Sequence, residues 1–281
     1  DSARHTYARK GQDVVDKNIK AIETGASGIV EVTVDPAWAD LQFDKSVKGT
    51  TGDAYFDEHV TPINHLQGQD MPVSAFLKFG VTDGTLKPNV AFEEKRTIAT
   101  LVPEWEADKC IQCGKCGFAC PHATIRSFLM DEEEVATAQK IADENNVELT
   151  LKDPSPAYKG AKEANLKFRI QVSTRNCVGC GVCITVCPTK ALSAADVKTQ
   201  LGQEPVAEYL YKHTTYKKEY GNNNTEGGVS LMMPYFEVSG CCPGCGEAPY
   251  YRLASQLFGN DMLIANATGC SMIYCSATPT N

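Results

Sequence analysis

The sequence predicts an α+β fold built around a duplicated cysteine module, and three observations predict it. Residues 110–120 and 177–187 each carry four cysteines at identical spacing. Leu166, Phe168, Ile170 and Val172 alternate with Lys167, Arg169 and Gln171, the period of a strand that delivers the chain to the second run. From Val229 onward the pattern changes to strand, turn, helix and strand, the opening of an α/β layer.

The chain has 281 residues, 42% hydrophobic and 22% charged, enough for two domains with their own cores. Its net charge of −8 comes without a basic stripe or interleaved basic and aromatic residues, which argues against nucleic acid as a partner. No apolar run approaches the roughly 18 residues of a membrane span, and Asp1–Lys10 is too polar for a signal peptide. The missing initiator Met and the unfinished α/β pattern at the far end lead us to expect a piece of a larger protein.

Taken in order, residues 1–41 read as the end of a preceding α/β domain. Val15, Ile19 and Ile22 recur at helical spacing before a stop at Gly25, and Val30, Val32 and Val34 then alternate as a strand. Residues 42–104 read as an extended linker, punctuated by Gly49–Gly52, Thr61-Pro62, Met71-Pro72, Asp83-Gly84 and Lys87-Pro88. Within it only 73–79 and 97–102 have the pattern of short strands. Tyr55, Phe56, Phe76 and Phe79 argue against disorder there.

Residues 105–195 hold the cysteine module, with an insertion at 127–165. The run Asp131-Glu132-Glu133-Glu134 opens an acidic helix to about Asn146, placed to suit the macrodipole; a docking patch for a basic partner is the sharper alternative. Residues 196–228 read as a connecting helix and loop. Residues 229–281 supply the α/β start, with a helix over 247–258 and a buried strand over 262–267.

Thirteen cysteines in tight groups suit metal better than disulfides, which join cysteines across a fold. The runs are Cys110-x2-Cys113-x2-Cys116-x3-Cys120-Pro121 and Cys177-x2-Cys180-x2-Cys183-x3-Cys187-Pro188. A lone Cys-x2-Cys would suggest zinc. Two full copies with Cys-Pro endings have the spacing of paired [4Fe–4S] sites in a ferredoxin-like domain, where the fourth cysteine ligates the other cluster. One cluster is therefore assigned to Cys110, Cys113, Cys116 and Cys187, the other to Cys177, Cys180, Cys183 and Cys120. The fourth cysteine is expected to start a helix. Gly114, Gly117, Gly179 and Gly181 are expected to let backbone amides approach the sulfurs. His122 follows the first Cys-Pro and is either a packing residue or a proton donor to a cluster.

A third group, Cys242, Cys245 and Cys270, lies beside Glu247 and Ile264-Ala-Asn-Ala-Thr-Gly-Cys270. Cys242-Pro-Gly-Cys245-Gly-Glu247, Gln256-Leu-Phe-Gly259 and Tyr274 resemble pyruvate:ferredoxin oxidoreductases. Phe92-Glu-Glu-Lys-Arg96, Pro121-His-Ala-Thr-Ile-Arg126, Pro72-Val-Ser74 and Asp83-Gly84 are similar to the same family, and the resemblance covers essentially the whole chain. It implies oxidative decarboxylation of pyruvate on thiamine diphosphate with Mg²⁺, transfer of the acyl group to coenzyme A, and electrons leaving through iron–sulfur clusters to ferredoxin or flavodoxin. It further implies a homodimer, in the cytoplasm or in a hydrogenosome. Cys242, Cys245 and Cys270 would hold a third cluster whose fourth ligand lies beyond residue 281.

The Gly-Asp-Gly segment for Mg²⁺ and the acidic activator of the family do not occur here, so no catalytic acid or base is assigned, and Glu247 is read as a helix cap. Cys241 and Cys275 depart from the family pattern, as substitute ligands or as buried thiols. Two rivals remain at this stage: a related enzyme for another 2-oxoacid, and a ferredoxin-type carrier subunit of a hydrogenase or dehydrogenase.

Overall fold

A computed structural model describes residues 1–41, 51–83, 87 and 90–275, apart from the side chains of Asn260 and Cys275. The chain divides into two compact units, 1–46 and 47–281. The first holds helices α1 (Ser2–Tyr7) and α2 (Gln12–Ser27), the latter running through Gly25 to end at Gly28. The strand expected over Val30–Val34 does not form; these residues lack regular structure and are exposed. Alternation alone makes no strand without a partner for its backbone groups, and none pairs with it among the described residues.

The second unit begins with a π-turn over Phe56–Val60 continuing into α3 (Thr61–Asn64), then α4 (Val73–Phe79). The strand expected at 73–79 is thus a helix: Val73, Phe76 and Leu77 fall at helical spacing, Pro72 opens it, and Gly80 ends it at φ +68°. The linker expectation is corrected with it. Tyr55, Phe56, Val60 and Val90 bury one another, with Phe79 and Val81 against them. The turn expected at Gly49-Thr50 and those at Asp83-Gly84 and Lys87-Pro88 fall wholly or partly outside the described residues.

The cysteine module is a pseudo-repeat of strand, cysteine loop, short helix and strand. Its first half runs through β1 (Leu101–Trp105), α5 (Lys115–Ala119) and β2 (Ile125–Met130). After α6 (Glu132–Glu144) the second half runs through β3 (Lys167–Val172), α7 (Val182–Val186) and β4 (Leu192–Asp196). The strand expected at 97–102 therefore starts later, at Leu101. The halves exchange strands: β1 pairs antiparallel with β4, Trp105 opposite Leu192, and β2 with β3, Ile125 opposite Val172. Neither half completes a sheet alone.

Strand β2 shows why the module has two cores. Ile125 and Leu129 face the cysteines with Val102, Phe168, Ile170, Val172 and Leu192. Phe128 and Met130 face the other way, against Ala138 and Ala142 of α6. The period of two sorts them. Beyond α8 (Val197–Gln200), helix α9 (Glu204–His213) completes that second core with Val206, Ala207, Leu210 and Tyr211. Glu204, itself buried, accepts from the hydroxyls of Ser173 and Thr174 at 2.8 and 2.9 Å and from the Arg175 amide at 3.1 Å, fixing the turn that leads to Cys177.

The acidic run opens α6 as expected. Asp131 and Glu134 exchange capping-box bonds, and Glu134 is buried and bonded to Thr215 and Lys217. The Glu134 amide and then the Lys217 ammonium hold the Asp131 carboxyl below its ordinary range. A carboxylate depressed by folding adds stability above its unfolded pKa, and that stability is lost as pH falls through the folded value. Asp131→Asn keeps a cap acceptor but removes the charge. It is expected to cost at most about 1 kcal/mol near neutrality and to make the acid-side loss of stability shallower, as read by denaturation against pH.

After α10 (Glu226–Val229), the strand expected from Val229 is absent. Helix α11 (Ala248–Phe258) forms close to the expected 247–258, and α12 (Cys270–Cys275) closes the described chain. Residues 262–267, expected as a buried strand, carry no regular structure, with Leu263 and Ile264 exposed, because no strand lies beside them among the described residues. Glu247 sits at the N-cap of α11 but makes no side-chain cap bond, correcting its reading as a cap.

Candidate functional site: two four-cysteine cavities

Each cysteine run leaves its strand, turns through left-handed glycines and enters a one-turn helix. Gly114 and Gly181, at φ +75° and +74°, sit at the N-caps of α5 and α7, and Gly179 is also left-handed. Cys116 and Cys183 lie inside those helices. Cys120 and Cys187 follow them as C-caps, so the fourth cysteine closes a helix and does not start one. A helix of five residues ends where the following proline bars its continuation.

The strand exchange brings each fourth cysteine to the opposite run. One cavity is lined by Cys110, Cys113, Cys116 and Cys187, together with Trp105, Ile170 and Leu192. Another is lined by Cys120, Cys177, Cys180 and Cys183, together with Leu101, His122, Thr124 and Ile125. The sulfurs line walls: among the described residues no group of three or more His, Cys, Asp or Glu is gathered as a single metal ion would need.

Burial pushes the Cys116 thiol up to about 12, helped by its neighbours Cys110, Cys113 and Cys187. Burial likewise lifts Cys177 to about 12 and Cys183 higher still, the latter beside Cys120, Cys177, Cys116 and Cys180. Burial also raises Cys187, but the Ala191 amide, the hydroxyl and amide of Thr189 and the Leu192 amide outweigh it, and the net direction is down. Thiols this reluctant to ionise among apolar groups become thiolates only when bound metal supplies the positive charge.

Backbone amides reach the sulfurs at matching positions. Gln112 N donates to Cys110 Sγ at 3.4 Å and Gly179 N to Cys177 Sγ at 3.5 Å, while Ala191 N donates to Cys187 Sγ at 3.2 Å. Gly179 is one of these donors, and a Gly117 backbone hydrogen bond acts on the Cys116 thiol, whereas Gly114 and Gly181 serve the turns. Around the first cavity Tyr158 stacks on Phe168 and donates its hydroxyl to the Gln112 carbonyl at 2.9 Å. Four thiolates around an apolar, amide-lined cavity, twice over, are a donor set that fits two [4Fe–4S] clusters.

The third cysteine group is less gathered. Cys242 and Cys270 are exposed and Cys245 is half-buried. Cys242 and Cys245 share a tight turn closed by a 3.0 Å bond from Cys245 N to the Cys242 carbonyl, and Cys270 opens α12. Gly244 of this turn packs against Cys180 and Val182 of the second run. Cys241 is a buried thiol beside Phe236, Ala248 and Tyr274; the Cys275 side chain lies outside the described residues.

Several supporting residues carried no local signal. Arg126 donates to the Ala123 carbonyl, stacks over Tyr211 at 4.1 Å and pairs with buried Glu237, holding the segment after Cys120. Arg252 of α11 donates to the Phe118 carbonyl inside the first run. The contacts with Tyr211, Glu237 and Phe118 link positions far apart in sequence, and no spacing rule reports them.

Residues 109–191 match the family described as 4Fe-4S dicluster domain. Over 99% of its length the chain is 39% identical to a pyruvate-flavodoxin oxidoreductase of Enterobacter agglomerans and 36% identical to a pyruvate:ferredoxin oxidoreductase of Moorella thermoacetica, covering 22% and 23% of those proteins. A mitochondrial pyruvate dehydrogenase [NADP(+)] of Euglena gracilis is 35% identical over 98% of the chain, which covers 14% of it. The chain spans about a fifth or less of the length of these relatives.

Proposed function

We propose that this chain, which matches a segment of the pyruvate-flavodoxin and pyruvate:ferredoxin oxidoreductases and contains a 4Fe-4S dicluster domain, is the electron-transfer part of an enzyme that oxidatively decarboxylates pyruvate to acetyl-CoA. The observation that carries the reading is the pair of cavities, each lined by three cysteines of one run and the fourth of the other.

Cys110, Cys113, Cys116 and Cys187 would hold one [4Fe–4S] cluster and Cys120, Cys177, Cys180 and Cys183 the other. Bound there, the clusters supply low-potential one-electron chemistry. The protein's part is to shield them: the apolar walls exclude water, and amides of Gln112, Gly179 and Ala191 offset charge on the sulfurs. Cys242, Cys245 and Cys270 would contribute to a third cluster completed by a residue outside this chain.

Thiamine diphosphate, Mg²⁺ and coenzyme A belong to the remaining domains of the enzyme, the first of which residues 229–281 would open, with 1–41 ending the domain before. The proposed electron partner is ferredoxin or flavodoxin, the proposed assembly a homodimer, and the proposed location the cytoplasm, or the hydrogenosome in an anaerobic eukaryote. Among the described residues, no helix is long and apolar enough to cross a membrane.

The test is anaerobic purification of the full-length protein. It is expected to be brown, to contain iron and acid-labile sulfide, and to reduce ferredoxin or flavodoxin with pyruvate and coenzyme A. A colourless protein holding zinc would refute the reading. A loaded protein that turns over another 2-oxoacid in place of pyruvate would correct the substrate alone.

A further inference from the structure

The wall of the second cavity contains a buried side chain that the thiolate assignment does not use. His122 is 1% exposed and lines the cavity with Cys120, Cys177, Cys180 and Cys183. Its Nδ1 is buried and has no hydrogen-bond partner among the described residues. Its Nε2 lies 3.1 Å from the Cys241 carbonyl oxygen and 3.3 Å from Cys241 Sγ. That sulfur receives the Ser239 hydroxyl at 3.1 Å, and the thiol's own hydrogen has two acceptors beside it, His122 Nε2 and the Cys245 sulfur. Ser239, Cys241 and His122 are all buried, so water does not compete for these bonds.

The two neighbours of Nε2 make opposite demands on the ring. A proton on Nε2 would serve the carbonyl and leave Nδ1 a bare lone pair. The polar side chains of the cavity wall are the four cysteines and Thr124, whose hydroxyl already engages Cys120 Sγ at 3.6 Å. A buried ring nitrogen that carries no hydrogen and meets no donor is left unsatisfied. A proton on Nδ1 gives the wall a donor and lets Nε2 accept from the Cys241 thiol. That arrangement underuses only a backbone carbonyl, which buried structure tolerates more readily than an orphaned nitrogen.

We propose that the Cys241 thiol fixes the tautomer of His122, so that Nδ1–H donates a hydrogen bond to the cluster held by Cys120, Cys177, Cys180 and Cys183. Cys241 is then a positioning residue and neither a ligand nor an inert thiol. The proposal rests on the cluster reading above. Hydrogen bonds to a cluster's sulfurs set its potential, and a donor favours the more negative, reduced form.

The experiment is made on the full-length protein, loaded anaerobically, with ¹⁵N-labelled histidine. Pulsed EPR of the reduced state is expected to show a histidine nitrogen coupled to the cluster that Cys180→Ala removes, and His122→Phe to abolish that coupling. In EPR-monitored redox titrations, His122→Phe and Cys241→Ala are each expected to lower the potential of that cluster and leave the other unmoved. Cys241→Ser, which restores a donor to Nε2, is expected to return the potential toward the wild-type value. Should His122→Phe fail to load, Cys241→Ala in the same titration decides. No nitrogen coupling in the loaded wild type, or a potential indifferent to Cys241→Ala, overturns the proposal. Absence of iron and sulfide from the wild type overturns the cluster reading with it.

Discussion

Cys187→Ala is expected to empty the cavity of Cys110, Cys113 and Cys116, and to spare the cavity of its own run-mates Cys177, Cys180 and Cys183. Sequence proximity argues for the reverse, so the result separates the crossed arrangement from the simple one. The crossing follows from strand exchange: β1 pairs with β4 and β2 with β3, so the strand after each run belongs to the sheet of the other half. Cys187, two residues after α7 passes Thr185 and five before Leu192, leaves its helix toward the first cavity. Removing a group that merely supports a ligand costs roughly 10–100-fold in metal affinity, and removing the ligand itself is expected to cost more. The measurement is iron and sulfide per chain together with EPR of the reduced protein. Cys120→Ala should give the complementary loss, and the opposite assignment in either variant would sink the crossed set.

The parts of this structure legible in the sequence are those whose signal is local. Eight cysteines at matched spacing, the alternation of Leu166–Val172 and the acidic opening of α6 need no distant partner to be read, and the structure places a strand at Lys167–Val172 and a helix at Glu132–Glu144. The misread segments depend on neighbours. Val30–Val34 and 262–267 have the composition of strands, yet a strand exists only where another backbone pairs with it. Val73–Phe79 reads as either period, and Pro72 before it and Gly80 after it decide for the helix. The site shows the same division. The two sets of four cysteines that line the cavities follow from spacing, whereas the contact of His122 with Cys241, 119 residues along the chain, is visible only in the folded chain.

Gly114→Ala and Gly181→Ala are expected to differ sharply although they make the same change at equivalent places. Both glycines cap their helices in the left-handed region, at φ +75° and +74°. An alanine therefore pays the same conformational penalty at each, about 1–2 kcal/mol. Their surroundings differ. A Cβ on Gly181 meets nothing within 4 Å, while one on Gly114 would lie 2.6 Å from Gly227 Cα and 2.7 Å from the Glu226 carbonyl oxygen. Those are backbone atoms of the first turn of α10, and they cannot swing aside as a side chain would. That helix is tied to the module by Ser230 Oγ, which reaches Ser127 Oγ at 3.2 Å, and the chain after it is held to α11 by Gln256, which donates to the Met232 carbonyl at 2.8 Å. Relieving the clash means lifting it from the first cysteine run, at a further cost of about 1–3 kcal/mol. Gly114→Ala should thus lose about 2–5 kcal/mol in all, and Gly181→Ala only its conformational share. Thermal or denaturant unfolding of the loaded proteins, followed by cluster absorbance, reads the gap directly. Equal losses would mean that residues 226–230 do not rest on the first run in solution.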